Sequence, residues 1–368
     1  MTSIVSIQAK AHQFLSEKYK GQTVQPFSTL INPLLEQSGI QLNYNEPKER
    51  REALKAFLNH VDFKTILVDT LNNLLIDKWS ATSETWRIWV NNYGLTDFKP
   101  TRVTAVGVVP KPGKIPPGAE YTFTELHGEQ TSAKLDTYGN LINIERQTIF
   151  SDDISAINSF LGGVAAAYDR QIGDKVYEFL TENPVSFNDK EIFHEDHNNL
   201  VTATSDFGDD LSKAIEIMYG QKISIDSIPT RVPLLDESGD PVLDGEGEPV
   251  YTAGPPNFIY EKIRVQPKYL LVPPAKAIIA AKVAGEYNKA VTEQQKLIVI
   301  VEGRLTGFAG WFLACDNPFA SIALFTLRER TIPEIFTNSL FTNDGLQVKH
   351  RMDYDVSPTD YRGLVRVS

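Results

Sequence analysis

The segment EIFHEDHNNLV, residues 191–201, sets His194 and His197 three residues apart around Glu195 and Asp196, in a chain with only six histidines. Two imidazoles flanking two carboxylates are residue types that can hold a metal ion and let it activate water, so metal-dependent hydrolysis is the chemistry to weigh first. A helical zinc site of that kind needs its histidines four apart, because both rings then converge from one helix face and leave the glutamate as base. Here the spacing is three, the loop-forming stretch NPVSFNDKE precedes it, and Asn198-Asn199 follows it. The segment is therefore expected to be a loop whose polar side chains hydrogen-bond nearby backbone. His12, His60, His127, His350 or a distant carboxylate would have to complete a metal site, and none sits in a recognisable partner motif. A hydrolase built on His194 and His197 is the enzyme alternative. The expectation is a protein that is not an enzyme, with no catalytic, metal-binding or cofactor-binding residues.

No other motif supplies chemistry. There is no Gly-rich loop followed by Lys-Ser/Thr, no G-x-S-x-G elbow, and no histidine paired with Cys315 to make it a nucleophile. Cys315, the single cysteine, reads as a buried small hydrophobe in GWFLACDNP, and one cysteine excludes a disulfide framework or a multi-thiolate zinc site. Gly162-Gly163 falls inside a helical pattern, where glycines are expected to allow close packing. Trp79, Trp86 and Trp89 flank a helix-to-strand transition and read as core or interface anchors. LDESGDPV (235–242) is followed directly by LDGEGEPV (243–250), an acidic tandem repeat that reads as two successive surface turns. Its carboxylates Asp236, Asp240, Asp244 and Glu246 lack the spacing of a calcium loop.

At 368 residues, with 42% hydrophobic and 10% aromatic content, the chain can fill one large core or two ordinary ones. A formal net charge of -11 argues against wrapping nucleic acid on a generally basic surface; nucleic acid near this chain would be enclosed rather than gripped. The start, MTSIVSIQAKAHQF, lacks a positive stretch followed by an apolar run, and no run approaches roughly 18 apolar residues, so neither a secretory signal nor a membrane span is expected.

The elements that must position these residues follow from periodicity. Residues 4–20 and 46–79 carry apolar positions at helical spacing, among them Leu54, Leu58, Leu71 and Leu75, so the first quarter is mostly helical. From 102 the pattern alternates through RVTAVGVV, AEYTFTEL, SAKL and NLINIERQTIF. Interrupted by PKPGKIPPG and by a TYGN turn at 137–140, it predicts a long hairpin-like excursion. Ile154, Ile157, Leu161, Val164, Tyr168, Ile172, Val176 and Phe179 then fall on one helical face. Ser151 is a natural N-cap, Asp152 and Asp153 suit the first turn, and Asn183-Pro184 ends a helix of roughly 45 Å. From 200 onward short helices (DLSKAIEIMYG, PAKAIIAAKVAG) alternate with strands (YLLVPP, KLIVIVE, GWFLACD, SIALFTL), and LQVKHRMDYDV and YRGLVRV close a mixed pattern.

The order of these segments resembles the major capsid proteins of tailed phages, in particular the Mu-like major head subunit group. The resemblance covers roughly residues 60–368. It is carried by TSETWRIWVNNYGLTDFKP, by AEYTFTELHGEQTSAKLDTYGNLINIERQTIFSDDISAI, by EIFHEDHNNL, by VQPKYLLVPPAKAIIA and by MDYDVSPTDYRGLVRV. It implies an α+β, Hong Kong 97-type capsid fold. The helical N-terminal arm would be 1–100, the extended β-hairpin loop 101–149, and the peripheral domain 150–199 with its spine helix at 151–182. The axial domain would be 200–330 with an acidic insert at 232–254, and strands in 331–368 would return to the peripheral and axial domains. In this family a Phe-x-x-x-His-x-Asn-Leu pattern follows the spine helix as a structural loop. Phe193, His197, Asn199 and Leu200 match it, and His194 falls at a variable position.

The resemblance also implies self-assembly into hexamers and pentamers of an icosahedral shell that encloses double-stranded DNA without sequence-specific binding. Such a protein is made in the cytoplasm of a bacterial host and ends in the virion, with a portal and scaffold, maturation protease or cement proteins as partners and no membrane. Lys111, Lys114, Tyr121, Phe123, Trp86 and Trp89 are the expected inter-subunit contacts. Lys111, Lys114 and Lys134 lie in the extended loop, where non-covalent locking is expected. An encapsulin-type nanocompartment, which would enclose cargo protein, shares the fold and is the alternative; a tail or baseplate protein would instead form rings or tubes.

Overall fold

The computed structural model describes residues 61–104, 130–145, 154–187, 189–228, 231–233, 251–253, 257–328, 330–339 and 345–368. In chain order they form α1 (Val61–Ser80), β1 (Asn91–Leu95), β2 (Thr101–Thr104), β3 (Gln130–Ala133), β4 (Asp136–Glu145), α2 (Ile154–Glu182), β5 (Val185–Phe187), β6 (Lys190–Glu191), β7 (Leu200–Val201) and α3 (Phe207–Tyr219). There follow β8 (Lys222–Ile228), β9 (Arg231–Pro233), β10 (Tyr251–Ala253), β11 (Asn257–Lys262), β12 (Pro267–Val272), α4 (Ala277–Ala290), β13 (Ile298–Val301), β14 (Trp311–Cys315), β15 (Ile322–Leu327), β16 (Glu334–Ser339), β17 (Gly345–Pro358) and β18 (Leu364–Val367). They divide into two units: Met1–Thr82, Thr137–Asp169 and Ile332–Asp353 make the first, and Ser83–Asp136, Arg170–Thr331 and Tyr354–Ser368 the second.

In the first unit α1 buries Leu71, Leu75 and Trp79, positions four apart that share a helix face. Asn72 meets β16 as a strand would, donating from Nδ2 to the Ile335 carbonyl (3.2 Å) and accepting the Ile335 N–H on Oδ1 (2.8 Å). β16 pairs antiparallel with β17 from Glu334↔Arg351 to Ser339↔Leu346. The first half of α2 buries Leu161, Val164, Ala165 and Tyr168. The Tyr168 hydroxyl lies 3.1 Å from the Tyr138 carbonyl and 2.9 Å from His350 Nδ1, with the two rings edge to face at 5.5 Å. Burial lowers the His350 pKa, and burial with the Asp353 charge raises that of Tyr168, so both rings are neutral at neutral pH.

The second unit holds a sheet in the order β13-β12-β14-β18-β7. β13 is parallel to β12 and β7 to β18, while β12 with β14 and β14 with β18 are antiparallel. The crossover through α4 is what the parallel pair β12 and β13 requires. α3 and α4 pack on the sheet through Phe207, Leu211, Met218 and Ala280 against Val272 and Trp311, where each large side chain contributes roughly 1.5–3 kcal/mol. Asp206 caps α3 by accepting the N–H groups of Gly208 and Asp209 (2.7 and 3.2 Å). β1 runs parallel to β15, and β15 runs antiparallel to Tyr354–Pro358 at the end of β17. β2 pairs antiparallel with β3, β8 with β11, and β9 with β10.

Most helices and strands from residue 200 onward form where their periodicity places them. Elsewhere there are differences. TYGN is not a turn: residues 137–140 run inside β4, whose partner is β17. A Cβ on Gly139 would collide with the His350 carbonyl oxygen, so this glycine marks a close approach of two backbones rather than a reversal. Gly162 and Gly163 do not mark close packing either, because a Cβ on each would meet open space. The crowded glycine of α2 is Gly173, where a Cβ would lie 2.9 Å from an Arg304 guanidinium nitrogen and 3.1 Å from the Trp86 ring. The predicted face holds from Leu161 to Val176, after which Tyr177 and Leu180 are buried and Phe179 only partly so. Steps of four turn about 40° past a full circle, and the buried stripe drifts with them instead of stepping back by three. Asn183, at φ 52°, ends α2 as expected. Ser151, Asp152, Asp153, the helical stretches before Val61, AEYTFTEL and the acidic repeat lie outside the described residues.

Candidate functional site

The 191–201 segment makes one tight helical turn, Glu195–His197, with Asn198 in left-handed backbone at φ 46°. Its polar atoms are spent on the chain itself. His194 Nδ1 accepts the Asp196 N–H (3.1 Å). His197 Nδ1 lies 3.0 Å from the Ile192 carbonyl; a carbonyl only accepts, so that nitrogen carries the proton. The same carbonyl accepts from Asn199 Nδ2 (2.9 Å), which also points at the Tyr361 carbonyl (3.4 Å), while Asn199 Oδ1 accepts the His194 N–H (3.2 Å). The His197 ring stacks on Tyr361 at 3.9 Å and 13°. Gln221 Nε2 donates to the carbonyls of His197 and Asn198 (3.3 and 2.7 Å). Lys190 holds the Asp196 carboxyl below its usual range.

Around this turn the chain is clamped from both sides. Asn183 donates to the Phe193 carbonyl (3.0 Å) and accepts the Phe193 N–H (2.7 Å), and the Phe193 ring is buried 5.5 Å from Phe312. Leu200 is half-buried and pairs with Arg366 of β18. Phe193, His197, Asn199 and Leu200 thus converge on one loop that ties the end of α2 to the closing strand. Among the described residues no group of three or more His, Cys, Asp or Glu is arranged to hold a metal ion.

A second polar cluster centres on Arg304. Its Nη1 donates to Glu84 (2.8 Å) and Glu302 (3.2 Å), its Nε to Asp174 (2.5 Å), and its Nη2 to the Arg170 carbonyl (3.3 Å). Glu302 is only 4% exposed and accepts from the Thr85 hydroxyl. The Tyr177 hydroxyl lies 2.8 Å from Thr85 Oγ1 and accepts from Trp89 Nε1 at 3.2 Å. Burial opposes the Arg304 charge, but the carboxylates of Glu84, Asp174 and Glu302 outweigh it and raise the guanidinium pKa further; burial likewise raises Tyr177. The cluster joins residues 84–89, the second half of α2 and the turn after β13.

Trp86 and Trp89, expected as inter-subunit contacts, are 2% and 4% exposed within the chain. Of the two roles left open for them, core and interface anchor, this burial is that of core. Lys111, Lys114, Tyr121 and Phe123 lie outside the described residues. Lys134 is exposed, and its N–H donates to Asp355 (3.3 Å). Cys315 is buried, its thiol donating to the Phe319 carbonyl, and burial pushes its pKa up. The Arg304 cluster was missed because its members stand up to 220 residues apart, and no local spacing signals it.

Both clusters lock distant chain segments together, as a structural subunit requires. The chain belongs to the phage capsid protein family, whose model matches residues 128–367, and it is a capsid shell protein. With that family goes the α+β, Hong Kong 97-type fold expected from the sequence. Among solved structures it is similar to a virus-like particle from Pyrococcus furiosus, with 9% identity over 82% of this chain and 99% of that one and a TM-score of 0.44. It is also similar to a structure from Mycobacterium phage Adephagia, with 11% identity over 78% and 90% and a TM-score of 0.45. A third likeness is to an encapsulin complex from Synechococcus elongatus, with 9% identity over 78% and 88% and a TM-score of 0.44. No curated protein matches the chain.

Proposed function

We propose that this chain is the major capsid protein of a tailed phage, of the Mu-like major head subunit group, whose copies close as hexamers and pentamers into an icosahedral head around double-stranded DNA. The observation that carries this reading is the family match across residues 128–367. The capsid-like order of segments extends it toward residue 60. Residues 1–100 are assigned to the arm, 101–149 to the extended loop, 150–199 to the peripheral domain, 200–330 to the axial domain, and 331–368 to strands returning to both. A two-stranded pair such as β2 with β3 is marginal alone in water, which suits a loop that lies across a neighbour through Lys111, Lys114, Tyr121 and Phe123. Trp86 and Trp89, buried just before it in the chain, would fix where it leaves the body.

The net charge of -11 suits a wall that repels packaged DNA rather than holding it. Assembly would take place in the host cytoplasm with a portal and scaffold, protease or cement proteins, and the product would be the virion shell. The test is to express the chain alone, size the product, image it by negative-stain electron microscopy and read nucleic acid from its absorbance ratio. Uniform closed shells or capsomer rings are expected. Shells filled with cargo protein would replace the phage reading by an encapsulin, and open tubes would replace it by a tail protein.

A further inference from the structure

We propose that the exposed face of α4 docks the acidic repeat at 235–250 of a second copy of this chain. The inference rests on the shell reading above and names one contact within it. Ala280 and Ala284 of α4 are buried, whereas Ile278 is 88% exposed and Ile279 45%. Residues 278, 282 and 289 lie within about 40° of one another around the helix axis, so Ile278, Lys282 and Lys289, all exposed, share one face. Among the described residues, an isoleucine that exposed has little of its own chain over it. Val301, 43% exposed, stands at the same end of the sheet, because it pairs with Val272, after which the chain turns into α4. The face carries Ile278 beside Lys282 and Lys289, with Glu286, also exposed, one turn on from Lys282, on a chain that is acidic overall.

The complement is carried by the same sequence. Residues 234–250 hold six carboxylates and no lysine or arginine, interleaved with Leu235, Val242 and Leu243. The segment is delivered by a ribbon: β8 and β11 pair from Lys222↔Lys262, and β9 and β10 pair as far as Pro233↔Tyr251. Over the seven residues of β8, at about 3.3 Å per residue, the first part of that ribbon spans roughly 23 Å. A ribbon of two strands gains stability by lying on another surface. Opposite charge steers the approach and apolar side chains on both partners give the short-range fit. Because the two halves differ, the contact is head-to-tail and can close around a ring, where repetition multiplies a modest affinity.

The test uses two full-length variants, Lys282→Glu with Lys289→Glu, and a repeat carrying Asp236→Lys, Asp240→Lys, Asp244→Lys and Glu246→Lys, which leaves two carboxylates against four lysines and makes the segment basic. Each alone sets like charges against each other, and each is expected to raise the concentration for half-assembly about tenfold or more. Mixed in equal amounts, the acidic face of one meets the basic repeat of the other, and assembly should return to within about threefold of wild type. A contact inside one chain could not be rescued by mixing. Either variant assembling like wild type, or a mixture no better than its components, overturns the proposal. Both variants should melt at the wild-type temperature. Wild-type protein that forms no shell would overturn the shell reading, whereas good wild-type shells with indifferent variants would overturn only this contact.

Discussion

Two polar regions of the second unit are built in opposite ways. Around Arg304 and His197, charged and hydrogen-bonding groups from segments far apart in sequence are paired inside the chain, with Glu302 and Asn199 almost wholly buried. On α4, an isoleucine and two lysines stand exposed among the described residues. The first arrangement serves the fold of one subunit. The second contributes little to that fold, and under the proposal above it is the side that meets another subunit.

The contrast can be broken by substitution. Arg304→Ala would leave Glu302 buried without its cation and should cost roughly 3–5 kcal/mol, measured by denaturant unfolding of unassembled chain; a cost near that of a surface residue would mean the cluster is no lock. Asn199→Ala strips a donor from the Ile192 carbonyl and an acceptor from the His194 N–H, and about 1–3 kcal/mol should be lost. Gly173→Ala should destabilise by about 1–3 kcal/mol through overpacking against Arg304 and Trp86. Gly163→Ala on the same helix meets open space and should gain up to about 1 kcal/mol. If the two alanines behave alike, the packing account of α2 fails.

His350 adds a pH dependence in the first unit. Its folded-state pKa is lowered by burial, so the unfolded chain binds the proton more readily. The contribution is fully present above the ordinary imidazole value of about 6.5 and is lost as pH falls below it toward the depressed folded value. Melting temperature should therefore drop between about pH 7 and pH 5, and His350→Gln should flatten that slope. The smallest effect on folding belongs to the open surface: Ile278→Asp should change unfolding free energy by no more than about 0.5 kcal/mol while impairing assembly.

Much of the fold was legible where the signal is local. The strands YLLVPP and GWFLACD and the helix DLSKAIEIMYG announce themselves by periodicity and flanking turns, and Phe193, His197, Asn199 and Leu200, singled out together by a pattern, lie in one hydrogen-bonded loop. The failures are non-local. Tyr138-Gly139-Asn140 carries turn-forming residues, yet a strand more than 200 positions later recruits it into a sheet. Gly173 looks like any helical glycine until Arg304 arrives from 130 residues beyond Asp174. Tyr361 as the stacking partner of His197 has no signature in sequence spacing.

The most direct test of the shell account is electron cryomicroscopy of this chain assembled with no other phage protein. The account predicts closed particles built from five- and sixfold capsomers. Monomers that persist at every concentration and with added scaffold, or assembly into open tubes alone, would contradict it.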